Sequence, residues 1–247
     1  MSDNSAFQEF YLREIGVQTP LALHEADDPV SETPVVAPSA EKPVMVSPEE
    51  DAAVPSIDGS FGEGSLQDIA MQASSCRACT LSEERHTVVF GVGNPKADIV
   101  FVGEAPGHEE DLKGEPFVGR AGKLLDRMLA AQGMDRSQVY IMNTVKCRPP
   151  NNRDPKPEEV QACGKWFDAQ LRALSPKLIC LLGRVAAQTV LETDAPLSAM
   201  RGKWHEYHGI PLRVIYHPAY LLRSPQQKRH AWSDLCELQK RYQMLLD

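Results

Sequence analysis

The sequence predicts a three-layer α/β/α sandwich built on a central, mainly parallel four-stranded sheet. Short apolar runs alternate with longer stretches whose apolar residues recur at helical spacing. The runs are nearly continuous rather than alternating with polar residues, which marks strands covered on both faces. Turn residues such as Gly103 and Pro218 flank them.

Taken in order, ADIVFVG (97–103) reads as the first buried strand. GRAGKLLDRMLAAQG (119–133) places Leu124, Leu125, Met128 and Leu129 on one helical face before a glycine stop. VYIMNTVKC (139–147) reads as the second strand. PKPEEVQACGKWFDAQLRAL (155–174) opens on proline and two acids and continues as an amphipathic helix. KLICLLG (177–183) is the third strand, RVAAQTVL a helix, LRVIYHP (212–218) the fourth strand, and 225–246 a C-terminal helix. In such sheets ligands bind beyond the carboxyl ends of the strands. That rule singles out GEAPG after the first strand, Asn143 within the second and His217 closing the fourth.

The 247 residues suffice for one sizeable domain with an appendage. The net charge of −8 is unevenly placed: residues 1–60 hold twelve Asp and Glu against only Arg13 and Lys42, a balance of −10. Residues 61–247 then carry 24 Lys and Arg against 22 Asp and Glu, a balance of +2, which leaves room for a local basic face. The Pro- and acid-rich stretch 19–62 is expected to be a disordered linker. Ahead of it, residues 1–18 carry Phe7, Tyr11 and Ile15 four apart. Such a stripe suits either a helix docked on its own domain or a tethered peptide for a protein partner. The domain proper is then 63–247. No apolar run approaches the roughly 20 residues that span a bilayer, and the start lacks a basic, apolar secretory leader. The expectation is a cytoplasmic monomer with reduced cysteines.

Four of the six cysteines form the sharpest chemical pattern. Cys76-Arg-Ala-Cys79 puts two thiols on one turn, and Cys147 and Cys163 flank the loop RPPNNRDPKPEEVQA. Two more thiols complete a tetrahedral sulfur set, which spacing leaves equally open to zinc and to an iron–sulfur cluster. Cys180 and Cys236 read as small core residues. GEAPGHEED (103–111) lies between a strand and a helix; without GxGxxG or GxxxxGK[ST] it is no dinucleotide or P-loop fingerprint. Glu104 is a functional carboxylate or a solvated loop acid. His217 faces a site or is a satisfied histidine, and Leu221 and Leu222 either pack a helix start or form an apolar wedge for a base stack.

Together, GEAPG with its acids, GEPFVGRAG (114–122), NTVKCRPPNNRDP (143–155) and HPAYLL resemble the family 4 uracil-DNA glycosylases of bacteria, over roughly residues 70–245. The resemblance implies that family's fold, base excision repair of uracil in DNA, and a [4Fe–4S] cluster on Cys76, Cys79, Cys147 and Cys163. It implies a uracil slot formed by Gly103, Ala105, Gly107, Phe117 and Asn143, with Phe117 stacking on the flipped base and the Asn143 carboxamide reading it. His217 would donate to the leaving uracil anion, while Glu104 is left between positioning water and excluding a thymine methyl. Arg148, Arg153 and Arg223 are the expected phosphate contacts, with Leu221 or Leu222 as the wedge. A related class that captures uracil covalently carries a histidine in a longer basic loop; RPPNNRDPKPEE has none. GEAPG has Ala105 where the best-known uracil glycosylases carry a water-activating aspartate. The competing readings are a zinc- or cluster-bearing DNA-binding adaptor without catalysis, and a nucleotide-binding α/β enzyme lacking a phosphate fingerprint.

Overall fold

The computed structural model describes residues 64–246, with Arg13 alone upstream. The expected segment 1–18 and linker 19–62 therefore lie outside the described residues.

The chain opens with α1 (Leu66–Ser74), α2 (Leu81–Glu84) and a two-residue strand, β1 (Val92–Gly93). Next come β2 (Ile99–Gly103), α3 (His108–Lys113), α4 (Arg120–Ala130) and β3 (Tyr140–Asn143). The long α5 (Pro157–Leu174) leads into β4 (Leu178–Leu182), α6 (Arg184–Leu191) and α7 (Leu197–Met200). A hairpin of β5 (Trp204–Tyr207) and β6 (Ile210–Ile215) follows, then α8 (Pro218–Arg223) and α9 (Lys228–Leu246). Among the described residues no helix is long and apolar enough to cross a membrane.

The four expected strands lie side by side and parallel, in the order β3-β2-β4-β6. The sheet is nevertheless wider than expected, because β1 and β5 add an antiparallel strand at each edge and make it six-stranded and mixed. Neither edge carries an apolar run: β1 is two residues long, and Trp-His-Glu-Tyr of β5 is partly exposed along its whole length. The hairpin turn is made by His208 and Gly209, both left-handed (φ 48° and 81°), which matches the twist of the strands it joins. The second strand ends sooner than its apolar pattern suggests. After Asn143 the chain leans over the end of β2, where the Thr144 and Val145 N–H groups donate to the carbonyls of Gly103 (2.9 Å) and Glu104 (3.0 Å).

Alternate residues of each strand feed opposite faces. Phe101, Ile141, Cys180 and Ile215 pack with Leu124, Leu125 and Met128 of α4 and with Trp232 and Leu235 of α9. Val102, Met142, Leu181 and Val214 pack on the other side with Phe167 and Leu171 of α5 and Val190 of α6. Two helical layers therefore enclose the faces of the sheet.

Candidate active site and cysteine cavity

The carboxyl ends of the parallel strands open into one cleft of about 870 Å³. Glu104, Ala105 and Gly107 line it from the turn after β2, Asn143 from the tip of β3, Arg184 from the start of α6 and His217 from the turn after β6. Phe117 enters from the loop before α4. Gly103 lies beneath them: a Cβ there would run into Asn143 Oδ1 and stand 2.6 Å from Phe117 Cζ. The missing side chain is what lets the amide and the ring share the space.

Asn143 is 2% exposed, and its Oδ1 is buried without a hydrogen-bond partner. An unmet buried acceptor costs about 1–3 kcal/mol, so this oxygen is suited to a ligand that donates. The Phe117 ring lies 5.6 Å from the His217 ring, tilted by 34°. His217 caps α8 by accepting the Ala219 N–H on Nδ1 at 3.1 Å. Burial, with Arg223 assisting, pushes its pKa down to about 4. The ring is thus neutral near pH 7 and carries its proton on Nε2 as a donor. Glu104 moves the opposite way: burial and the nearby Asp154 push its pKa up to about 7, against the pull of Arg184. Arg184 itself bonds Asp154 at 2.8 Å.

Behind the Asn143 strand end, Cys76, Cys79, Cys147 and Cys163 all line a second, small cavity beneath α1 and α5. Positive groups approach its sulfurs. Arg85 Nη1 donates to Cys147 Sγ at 3.1 Å, while its Nη2 donates to the Cys76 carbonyl at 2.7 Å. The Lys146 N–H donates to Cys163 Sγ at 3.3 Å, and its buried Nζ donates to the Asn143 carbonyl at 2.5 Å. Burial pushes the Cys163 thiol up to about 11 and the Lys146 ammonium down to about 8. Trp166 lines the same cavity, and its indole N–H is buried without a partner. Among the described residues no three Cys, His, Asp or Glu side chains are grouped closely enough for one metal ion. All four cysteines nevertheless line this one cavity.

With this geometry in view, a family model described as the uracil DNA glycosylase superfamily matches residues 90–236. The chain belongs to that superfamily. A type-4 uracil-DNA glycosylase from Archaeoglobus fulgidus is 52% identical over 178 residues, 69% of this chain and 89% of that protein. One from Thermotoga maritima is 44% identical, covering 64% of this chain and 84% of its own length. A type-5 uracil-DNA glycosylase from Thermus thermophilus is 35% identical over 42% of this chain and 53% of that protein.

For this member of the superfamily, the residues expected from sequence fall into two groups. Glu104, Ala105, Gly107, Phe117, Asn143, Arg153, His217 and Arg223 line the cleft, and Gly103 forms its floor. Leu221 does not reach the surface. It is 0% exposed in the core, whereas Leu222 is half-buried and packs against the same core. Arg153 lines the cleft with both its Nη atoms bonded to the buried Glu159 carboxylate at 2.8 and 2.6 Å. Arg148 bonds Asn152 and His108 at the cleft's edge. Cys180 is fully buried in β4 and Cys236 half-buried on α9, as core residues should be. Sequence reasoning missed Arg184, Glu110, Tyr216 and Tyr220 of the cleft lining. Applying the strand-end rule to the third strand would have found Arg184. Arg85, in an irregular stretch far from the other cysteine neighbours, carries no signal in the sequence.

Proposed function

We propose that this protein is a monofunctional uracil-DNA glycosylase that turns uracil out of DNA and hydrolyses its N-glycosidic bond, leaving an abasic site. The observation that carries this reading is the buried, unpartnered carboxamide oxygen of Asn143 beside the Phe117 ring. Its Oδ1 can accept from uracil N3–H while its NH₂ donates to O4. Cytosine offers the opposite polarity at that edge and would leave buried groups unpaired, the strongest form of selection a pocket can apply. A DNA-binding adaptor without catalysis would need no such amide, ring and imidazole in one cleft. The names of the type-4 relatives point the same way.

Extrusion of the nucleotide costs a few kcal/mol, offset by stacking on Phe117 and by Leu222 entering the vacated space, with Arg148 and Arg223 on phosphates. The Gly103, Ala105 and Gly107 backbone forms the wall of the uracil slot. Cleavage leaves negative charge on uracil O2 and positive charge on the sugar. His217 donates its Nε2–H to O2, and a neutral donor gains strength as that charge develops. Glu104, when ionised, faces the sugar's positive charge and holds the attacking water.

We assign the cysteine cavity to a [4Fe–4S] cluster on Cys76, Cys79, Cys147 and Cys163. Four thiols around a shared space, two nearby cationic side chains and an unmet indole N–H suit an anionic sulfur group larger than one ion. When bound, such a group would supply a cross-link among the turn between α1 and α2, the chain after β3, and α5. Nothing in the hydrolysis requires electrons.

A uracil-containing oligonucleotide incubated with the protein should acquire an alkali-labile abasic site. Asn143→Asp should lose most of that activity and gain weak release of cytosine; uracil release at the wild-type rate would remove Asn143 as the reader.

A further inference from the structure

Phe117 occupies a backbone conformation that a large aromatic residue rarely adopts. Its φ is +56°, in the left-handed region, and its side chain is 6% exposed. Such a conformation persists only where its surroundings hold it. Two charged side chains do so from opposite sides. Arg136, on the loop between α4 and β3, donates through Nη2 to the Pro116 carbonyl at 2.6 Å and through Nη1 to the Phe117 carbonyl at 3.1 Å. Asp126 of α4 orients the guanidinium at 2.8 Å. On the far side, one Glu110 oxygen accepts the N–H groups of both Val118 and Gly119 at 3.0 Å. Three successive peptide groups around Phe117 are therefore gripped: the first by its oxygen, the middle one by both oxygen and nitrogen, and the last by its nitrogen. Gly122 completes the fit, since a Cβ there would collide with the Phe117 carbonyl.

Resting on the functional reading above, we infer that Arg136 and Glu110 are positioning residues that lock Phe117 in its left-handed conformation, so that its ring is ready to stack on the extruded base. Neither side chain needs to touch DNA to do this. A planar guanidinium can bridge two successive carbonyls, which a lysine ammonium on a single stem does less well. A glutamine at 110 keeps a carbonyl acceptor for the two N–H groups, whereas alanine does not. The clamp supplies order before the substrate arrives, and misplacing a stacking ring by an ångström is enough to lower rate about a hundredfold.

The test is a set of double-mutant cycles on single-turnover uracil release, with thermal melts for every variant. Arg136→Gln and Glu110→Ala should each slow release by about tenfold or more. Combined with Phe117→Ala, each should add less than about twofold, because effects through one shared group do not add. Glu110→Gln should recover most of the rate, and Arg136→Lys should fall between wild type and Arg136→Gln. Equal losses with and without Phe117, or no loss in the single variants, would overturn the clamp while leaving the glycosylase intact. If Arg136→Gln melts below the assay temperature, the Glu110 pair decides alone. Failure of the wild type to release uracil would instead overturn the functional reading, and the clamp with it.

Discussion

At the scale of single residues, the site divides two titratable groups by environment. Glu104 is pushed up to about 7 and His217 down to about 4. In the proposed mechanism the ionised form of Glu104 is the useful one, so release should quicken as pH rises through about 7. His217 stays neutral on both sides of that break and contributes none of its own until about pH 4. A pH profile of single-turnover release should therefore lose its break near 7 in Glu104→Gln. A break surviving that substitution would assign it to another group. His217→Ala should be slow at every pH, by about 10²–10³ for the loss of one such donor. Much of this was legible in the sequence: Glu104, Asn143 and His217 stand where strands end, and a strand end in a doubly covered sheet is where chemistry collects. The backbone of Phe117 was not legible. Its left-handed φ is met by Gly122, which leaves room for its carbonyl, and by Arg136 from beyond the far end of α4.

At the scale of elements, the loop between β3 and α5 behaves as a strap fastened near its C-terminal end by two ion pairs. Asn151 and Asn152 turn it through two left-handed residues (φ 55° and 54°), a conformation that asparagine tolerates better than most. Arg153 then ties it to Glu159 in the first turn of α5, and Asp154 ties it to Arg184 at the start of α6. The Arg153 guanidinium holds the Glu159 carboxyl below its usual range. A depressed carboxyl contributes stability above its unfolded-state pKa and loses it as pH falls through the folded value. Arg153→Ala removes the charge partner of the Glu159 carboxylate, which keeps only the Lys156 N–H at 2.8 Å and the Thr80 hydroxyl, and should lower the melting temperature at neutral pH. Melting curves should show that deficit shrinking as pH falls below the ordinary glutamate range and Glu159 protonates. A deficit independent of pH would mean that the ion pair is not its source. Sequence offered Arg153 as a DNA contact because a loop arginine beside a binding cleft looks free; only the burial of Glu159 reveals its partner. Leu221 misled for a similar reason: Leu-Leu after His-Pro gives no clue to which leucine an unformed helix turns inward.

At the scale of the molecule, the proposed cluster site and the uracil slot are separated by one short stretch of chain. Lys146 bonds Cys163 Sγ through its N–H and the backbone carbonyl of Asn143 through its ammonium, so one lysine links the cysteine cavity to the main chain of the residue proposed to read the base. Cys147→Ala should abolish the visible absorbance of the cluster and loosen residues 148–156, detected as faster amide exchange or proteolysis there. Full retention of the absorbance would exclude Cys147 as a ligand. The four parallel strands were readable because each is an apolar run covered on both faces; the two edge strands were not, because β1 is too short and β5 too polar to form a pattern.

Those edges have a consequence for how the molecule behaves in a crowd. A parallel sheet ending in a long bare strand would present a row of unused amides and carbonyls on which a neighbouring chain could template itself. Here one side ends after two residues, and the other in a twisted hairpin whose Trp204 ring lies beside the guanidinium groups of Arg213 and Arg241. The apolar interior strands are covered at both margins by short strands that offer a neighbouring chain little continuous edge.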